Sequence, residues 1–236
     1  MLALGDASTA VHALAAINGA LLHKERTGRG QQVDISLLDT YFNKQEISVQ
    51  AYSASGGAMA AKRSGSHHFL LCPLGVYKGR DRYYTIMADW AKVCVVIDRP
   101  ELIKDPLYAT NPDRIKNLQG VIDAIEAWLG VRSNEEILAS FAEAHLPIAP
   151  ILTVPEAMEH PHLKERGIVR EIEDPALGKF SIPGMPLRFS EFPDLLELTA
   201  PFRGEHNREV LTDVLGYSSE QLDSLEKDAV LAAESY

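Results

Sequence analysis

The chain has 236 residues, enough for one large domain or two small ones at about 100–200 residues each. Apolar residues make up 46% and charged residues 24%, an ordinary globular mixture that excludes disorder, collagen and coiled coil as whole-chain descriptions. With 23 basic and 33 acidic residues the net charge is −10, which argues against a nucleic-acid partner.

Cys72 and Cys94 sit in apolar runs and read as buried free thiols of a reducing compartment. No apolar stretch reaches the roughly 20 residues that span a bilayer. The opening Met-Leu-Ala-Leu-Gly-Asp has no basic n-region and meets Asp6 at once, unlike a signal peptide. The expectation is a soluble cytoplasmic protein without a membrane partner.

Ala10, Leu14, Ile17 and Leu21 lie at helical spacing, and Val11, Ala15 and Leu22 stand beside them, so Ser8–Lys24 reads as a helix. Its remaining face is nearly all Ala or Gly, the pattern of a helix buried all round. His23, Lys24 and Arg26 load the last turn and Gly28 follows, a good stop. Gln32–Ser36 alternates through Val33 and Ile35 as a short strand. Ser36 and Asp39 then suggest the capped start of a helix running to about Ser53. Residues 53–66, with Gly56, Gly57 and Gly65, read as a linker.

Val76–Lys78 and Tyr83–Ile86, separated by Gly79-Arg80-Asp81-Arg82, predict a hairpin. Helices are expected over Asp89–Ile97, from Asn111 through a stripe of Leu118, Val121, Ile122, Ile125, Trp128 and Leu129, and from the Ser133–Glu136 cap through Phe141. After Pro155, Pro161 and Gly167, a second hairpin is expected from Val169–Glu173 and Lys179–Ile182 about a turn at Asp174–Gly178. Pro183–Pro201 reads as extended. Two short helices close the chain, Asn207–Leu215 and Ser218–Lys227, the second opened by Ser218 and Gln221.

Generic motifs are sparse. Gly28-Arg-Gly30 lacks the third glycine of a dinucleotide fingerprint, and Ser53-Ala-Ser55-Gly56-Gly57 lacks the first glycine of a nucleophile elbow. His67-His68 and His160-Pro-His162 have no Cys or acidic partner at a ligand spacing, so no metal is expected. Asp6 admits two readings. Its carboxylate can cap the first helix, accepting the free N–H groups of the first turn. The same positive end-field and the same amides also suit a carboxylate nucleophile.

One long string separates these readings. Gly5-Asp6-Ala7-Ser8-Thr9-Ala10-Val11-His12-Ala13-Leu14, followed by Arg26-Thr27-Gly28-Arg29-Gly30-Gln31-Gln32-Val33-Asp34-Ile35-Ser36-Leu37-Leu38-Asp39, strongly resembles the family III CoA-transferases and the related α-methylacyl-CoA racemases. The resemblance continues through Asp98-Arg-Pro-Glu-Leu, Asp105-Pro-Leu-Tyr-Ala-Thr-Asn111, Gly178-Lys-Phe-Ser-Ile-Pro-Gly184, Pro186-Leu-Arg-Phe-Ser190 and Gly204-Glu-His-Asn-Arg-Glu-Val-Leu211, covering essentially the whole chain.

The resemblance implies an α/β fold, with part of a Rossmann-type large domain, a smaller α/β domain, and two chains interlocked as a homodimer. In those terms, residues 1–55 are a remnant of the large domain with the catalytic Asp motif and residues 56–65 a linker. Residues 66–155 form the small domain, 156–200 a linker and hairpin returning to the large domain, and 201–236 its C-terminal helices. It implies Asp6 as the catalytic nucleophile, acyl-CoA and a free carboxylic acid as substrates, CoA carried as substrate, and no permanently bound cofactor. Asp6 would form a mixed anhydride and then an aspartyl-CoA thioester. The family's Gly-Asp motif lies well inside its chains. The resemblance therefore implies a fragment lacking most large-domain strands and CoA contacts. An apolar patch is then expected on the first helix, covered by a second polypeptide, which is either a second copy or a separate N-terminal chain. The alternatives are a racemase, in which Asp6 would exchange an α-proton, and an inactive fragment or subunit. The racemases' Glu-Pro-x-Phe string is absent, which favours transferase.

Other residues have plainer roles beside their functional ones. Asp34 and Asp39 read as caps at a strand-to-helix junction, and His12 as a hydrogen-bonded core histidine. Tyr77, Tyr83 and Tyr84 read as packing aromatics. Arg26 and Arg29 read as helix-terminal cations, with CoA phosphates as the alternative. His67-His68 lies where the linker meets the small domain, at a position open to an acyl pocket.

Overall fold

In the computed structural model, which describes residues 3–192 and 200–233, the opening helix α1 runs over Leu4–Thr27, longer at both ends than the apolar spacing predicts. It stops as expected at Gly28, whose φ of 72° is left-handed and whose N–H donates to the Lys24 carbonyl. None of its described residues is buried: Val11 is 65% exposed and Ile17 51%. The burial that its composition predicts is therefore not provided by the described residues.

The predicted strand at 32–36 does not form. The alternation of Val33 and Ile35 suits a strand, but a strand also needs a hydrogen-bonded neighbour, and none pairs with it among the described residues. Ser36 does cap a helix, accepting the Asp39 amide at 3.0 Å. That helix is two pieces, α2 (Leu37–Asn43) and α3 (Glu46–Ala54), where one was expected. At the break the Lys44 and Gln45 amides reach back only to Tyr41 and Phe42, a tight three-residue spacing that ends the α ladder.

The rest of the unit Met1–Ile151 is built on a three-stranded antiparallel sheet. The predicted hairpin is present as β1 (Leu74–Lys78) and β2 (Tyr83–Met87), with Tyr77 opposite Tyr84. Then follow α4 (Trp90–Val96), capped by Asp89, a 3₁₀ turn at Pro100–Ile103, α5 (Asn111–Lys116), α6 (Leu118–Leu129) and α7 (Asn134–Glu143). Asn117 interrupts the helix predicted to run from Asn111. A third strand, β3 (Ile148–Pro150), pairs with β2 and sets Ile148 opposite Ile86.

Side chains on β2 alternate, with Tyr84 and Ile86 buried and Tyr83, Thr85 and Met87 exposed, so one face of the sheet is dry. Val121, Ile125, Trp128 and Leu129 of α6, at spacings of four, three and one, cover that face together with Val93, Ile137 and Phe141. The Ser133–Glu136 capping box forms reciprocally and starts α7 where the sequence places it. Arg132 stacks over the Trp128 ring at 4.0 Å and shields its outer face.

The unit Leu152–Tyr236 opens with two helices that the sequence reading treats only as punctuation, α8 (Val154–Glu159) and α9 (Pro161–Glu165). Pro155 and Pro161 lie in their first turns, where the missing N–H costs nothing and the fixed φ favours helix, so here proline starts helices. The second hairpin, β4 (Val169–Asp174) and β5 (Gly178–Pro183), has the predicted turn. Asp174 Oδ1 accepts the Ala176 and Leu177 amides at 2.9 Å each. Part of the stretch read as extended, 193–199, lies outside the described residues. α10 (Asn207–Asp213) and α11 (Ser219–Lys227) are joined by Arg208, whose guanidinium reaches Asp223 and Glu226. Ser218 and Gln221 form the expected capping box.

Candidate active site

Asp6 is in the first turn of α1 and is not its cap. The cap position falls to Ala3, which has no side chain to offer, and the first backbone bond runs from the Ala7 amide to the Ala3 carbonyl at 2.9 Å. Asp6 is thus the last residue whose own amide is outside the helical ladder. Its exposed carboxylate stands at the positive end of a 24-residue helix and has no side-chain partner among the described residues. The neighbouring Thr9 hydroxyl is tied to the backbone, its Oγ1 donating to the Gly5 carbonyl at 2.8 Å. A solvent-accessible carboxylate beside unpaired amides can attack an electrophile and find donors for the oxyanion that forms.

The other candidates divide clearly. His12 bonds through Nδ1 to the Ser8 carbonyl at 2.8 Å, on a helix with no buried residue, so it is hydrogen-bonded but not a core histidine. Tyr77 and Tyr84 are core residues, while Tyr83 points to solvent. Arg26 is exposed in the last turn of α1 and Arg29 is exposed just beyond it. His160 and His162 stand 6.4 Å apart between centroids at the α8–α9 junction, and no group of three metal-ligating side chains occurs among the described residues.

His67 and His68 line a cavity with the turn between α2 and α3. Desolvation lowers the His67 pKa, with Glu126 opposing. Reading the sequence as one helix across 36–53 hides Lys44 and Ser48, which the break at Lys44–Gln45 brings to the same cavity. The polar run Asn43-Lys44-Gln45 is the only local signal of that break. A second cavity, of 430 Å³, lies between residues 71–74 and the start of α4. Its polar groups already serve the fold. Asn111 holds the Cys72 amide and the Leu70 carbonyl, and Arg114 holds the carbonyls of Cys72 and Tyr108.

Both cysteines are buried and free. Burial pushes the Cys72 thiol up to about 11, with Arg114 opposing, and Cys94 up to about 12, where Glu101 adds to the effect. A raised pKa means that the folded chain holds these protons after an unfolded thiol, at about 9, has lost its own. The associated stability is complete below about pH 9 and falls as pH rises toward 11–12. Denaturation midpoints taken across that window should decline, and Cys72→Ser with Cys94→Ala should flatten the decline. An unchanged slope in the double variant would assign the alkaline sensitivity elsewhere.

A family model described as CoA-transferase family III matches residues 1–207. The chain is 31% identical over 251 aligned residues to formyl-CoA:oxalate CoA-transferase of Escherichia coli, covering 96% of this chain and 60% of that protein. A CAIB/BAIF family protein from Brucella suis superposes with a TM-score of 0.69 at 28% identity, over 90% of this chain and 55% of that one. Rv3272 from Mycobacterium tuberculosis superposes with a TM-score of 0.68 at 20% identity, over 88% and 55%, and shows likeness of fold. The chain therefore spans about three fifths of the length of the curated relative and just over half of each solved chain. No helix among the described residues is long and apolar enough to cross a membrane.

Proposed function

The chain belongs to CoA-transferase family III, and from that premise we propose that it moves CoA from an acyl-CoA to a free carboxylic acid, with Asp6 as a temporary acyl carrier. The single observation behind this reading is the place of Asp6, an exposed carboxylate at the end of the unpaired amides of α1, inside the Gly-Asp string that resembles the family.

In the proposed sequence the Asp6 carboxylate oxygen attacks the thioester carbonyl, the C–S bond breaks and CoA thiolate leaves, giving a mixed anhydride. The thiolate then attacks the Asp6 carbonyl carbon and expels the first acid, giving an aspartyl-CoA thioester. The second acid repeats the attack in reverse, and CoA leaves as its thioester with Asp6 restored. Each intermediate keeps one activated carbonyl, in the anhydride and then in the Asp6 thioester, so neither ATP nor a metal is needed on energetic grounds. Each is also open to hydrolysis, so the working site must exclude water. Asp6 in the chain alone is exposed. The same reading therefore includes a second protein surface over α1, from an interlocked copy or a separate polypeptide. The buried free thiols fit a cytoplasmic setting.

Hydroxylamine intercepts both activated species. Protein that is turning over acyl-CoA, assembled with whatever second chain it requires, should yield an Asp6 hydroxamate by peptide mass spectrometry. Active protein with unmodified Asp6 sinks the assignment. Deuterium entering the substrate α-carbon without CoA exchange between acids would instead identify a racemase.

A further inference from the structure

The cavity beside His67 and His68 measures 360 Å³. One wall is the α2–α3 turn and the start of α3, with Lys44, Glu46, Ile47 and Ser48. The other is the segment before β1, with Ser64, His67, His68 and Phe69. Four features give it a definite chemistry.

The first is His68. Its Nδ1 accepts the Leu70 and Leu71 amides at 3.1 Å each, which assigns the ring hydrogen to Nε2 and makes the free edge a donor. The second is Lys44, a full positive charge immediately before the Gln45 cap position. The third is the set of amides of Glu46, Ile47 and Ser48, which lie in the first turn of α3 and have no partner among the described residues, Gln45 making no side-chain cap. The fourth is the neighbouring apolar surface of Ile47 and Phe69. Opposing them, Glu46 is the one acidic side chain among the lining residues. His67 is held in the wall by two contacts: its ring packs edge-on against Tyr77 at 4.9 Å between centroids, and its carbonyl takes the Ser64 hydroxyl; its buried Nδ1 has no partner among the described residues.

We propose that this cavity binds the carboxylate of a short-chain organic acid, with Lys44, His68 Nε2–H and the Ser48 hydroxyl on the carboxylate and Ile47 and Phe69 against the carbon chain. One lysine offset by Glu46 suits a monoanion better than phosphate, which carries more charge than the site can neutralise. Naming that acid as the CoA acceptor rests on the transfer reading above, whereas the binding site itself does not.

The test uses the full ¹⁵N-labelled chain, with histidine side-chain correlation spectra recorded during titration with sodium butyrate. Sodium chloride at matched ionic strength and inorganic phosphate are the other arms. The His68 Nε2 signal should move saturably with butyrate only. Lys44→Met should weaken binding about tenfold, and Glu46→Gln should tighten it a few-fold. A linear response, an equal response to chloride, or phosphate binding as well as butyrate overturns the proposal. The amide spectra of the variants show whether each one is folded, and the two substitutions are expected to act in opposite directions, which a general loss of structure would not produce. Asp6→Asn should leave butyrate binding intact. A silent His68 in protein that does form the Asp6 hydroxamate removes this site alone. A responsive His68 without the hydroxamate removes the transfer reading and leaves the site.

Discussion

Asp6→Asn should bind acyl-CoA and fail to exchange CoA between acids, with turnover lowered on the order of 10⁴-fold or more, the scale at which covalent nucleophiles matter. The two side chains are nearly equal in size, so the change isolates chemistry from shape. An amide oxygen has no full negative charge to attack a thioester carbonyl, and it cannot be released as a carboxylate when an anhydride collapses. The fold should lose no more than about 1 kcal/mol, from the helix end-field, because Asp6 is exposed and unpartnered among the described residues. Asp6→Glu keeps the carboxylate but moves it by one methylene, and a displacement of about 1 Å is enough for a loss near 10²-fold. The order parent, then Glu, then Asn is what a carrier role requires. Parallel initial-rate and thermal-unfolding measurements, made at one assembly state, check it. An Asn variant within tenfold of the parent would put the carrier on another residue.

The elements that could be read from the sequence are those whose hydrogen bonds close locally. The Ser133–Glu136 and Ser218–Gln221 boxes, the Gly28 stop and the Asp174 turn each settle within a few residues, and all four are in place. The α6 stripe was legible for a related reason: one face with a 3.6-residue period has only one use. What failed is what depends on distant partners. Val33 and Ile35 alternate as a strand does, but a ladder cannot be made by one strand. β3 ends at Pro150 and is only three residues long, too short for any period to show. Asp6 illustrates both limits. Local physics offered cap or nucleophile and the structure removes the cap, yet the case for chemistry came from the Gly-Asp string, which is a likeness and not a force. Of the Lys44–His68 cavity only the His67-His68 wall was legible, because its two walls are some twenty residues apart and meet only through the fold.

Two apolar side chains with opposite fates give the second large effect. Phe141 is fully buried, packed edge-on against Trp128 at 6.1 Å between centroids, and Phe141→Ala removes a ring that nothing nearby can replace. The cost should be about 3–5 kcal/mol, which for a domain stable by about 5–15 kcal/mol is a large share of the whole. Ile17 is comparably apolar, but 51% of it already meets water. Ile17→Ser exchanges residues of similar helix propensity and should change the stability of the chain by no more than about 0.5 kcal/mol. If a second protein surface covers α1, the ranking inverts in the assembly: a polar group in an apolar interface weakens association, while Phe141 lies too far inside its unit to be felt there except through unfolding. Denaturant midpoints and sedimentation equilibrium on the same samples separate the two. The expected pattern is a lowered midpoint with unchanged association per folded chain for Phe141→Ala, and an unchanged midpoint with loss of association for Ile17→Ser. Full association retained by Ile17→Ser, joined by Leu14→Ser to exclude a tolerant single site, would mean that the apolar stripe of α1 is not where the second surface lies, and the exclusion of water from Asp6 would then need another source.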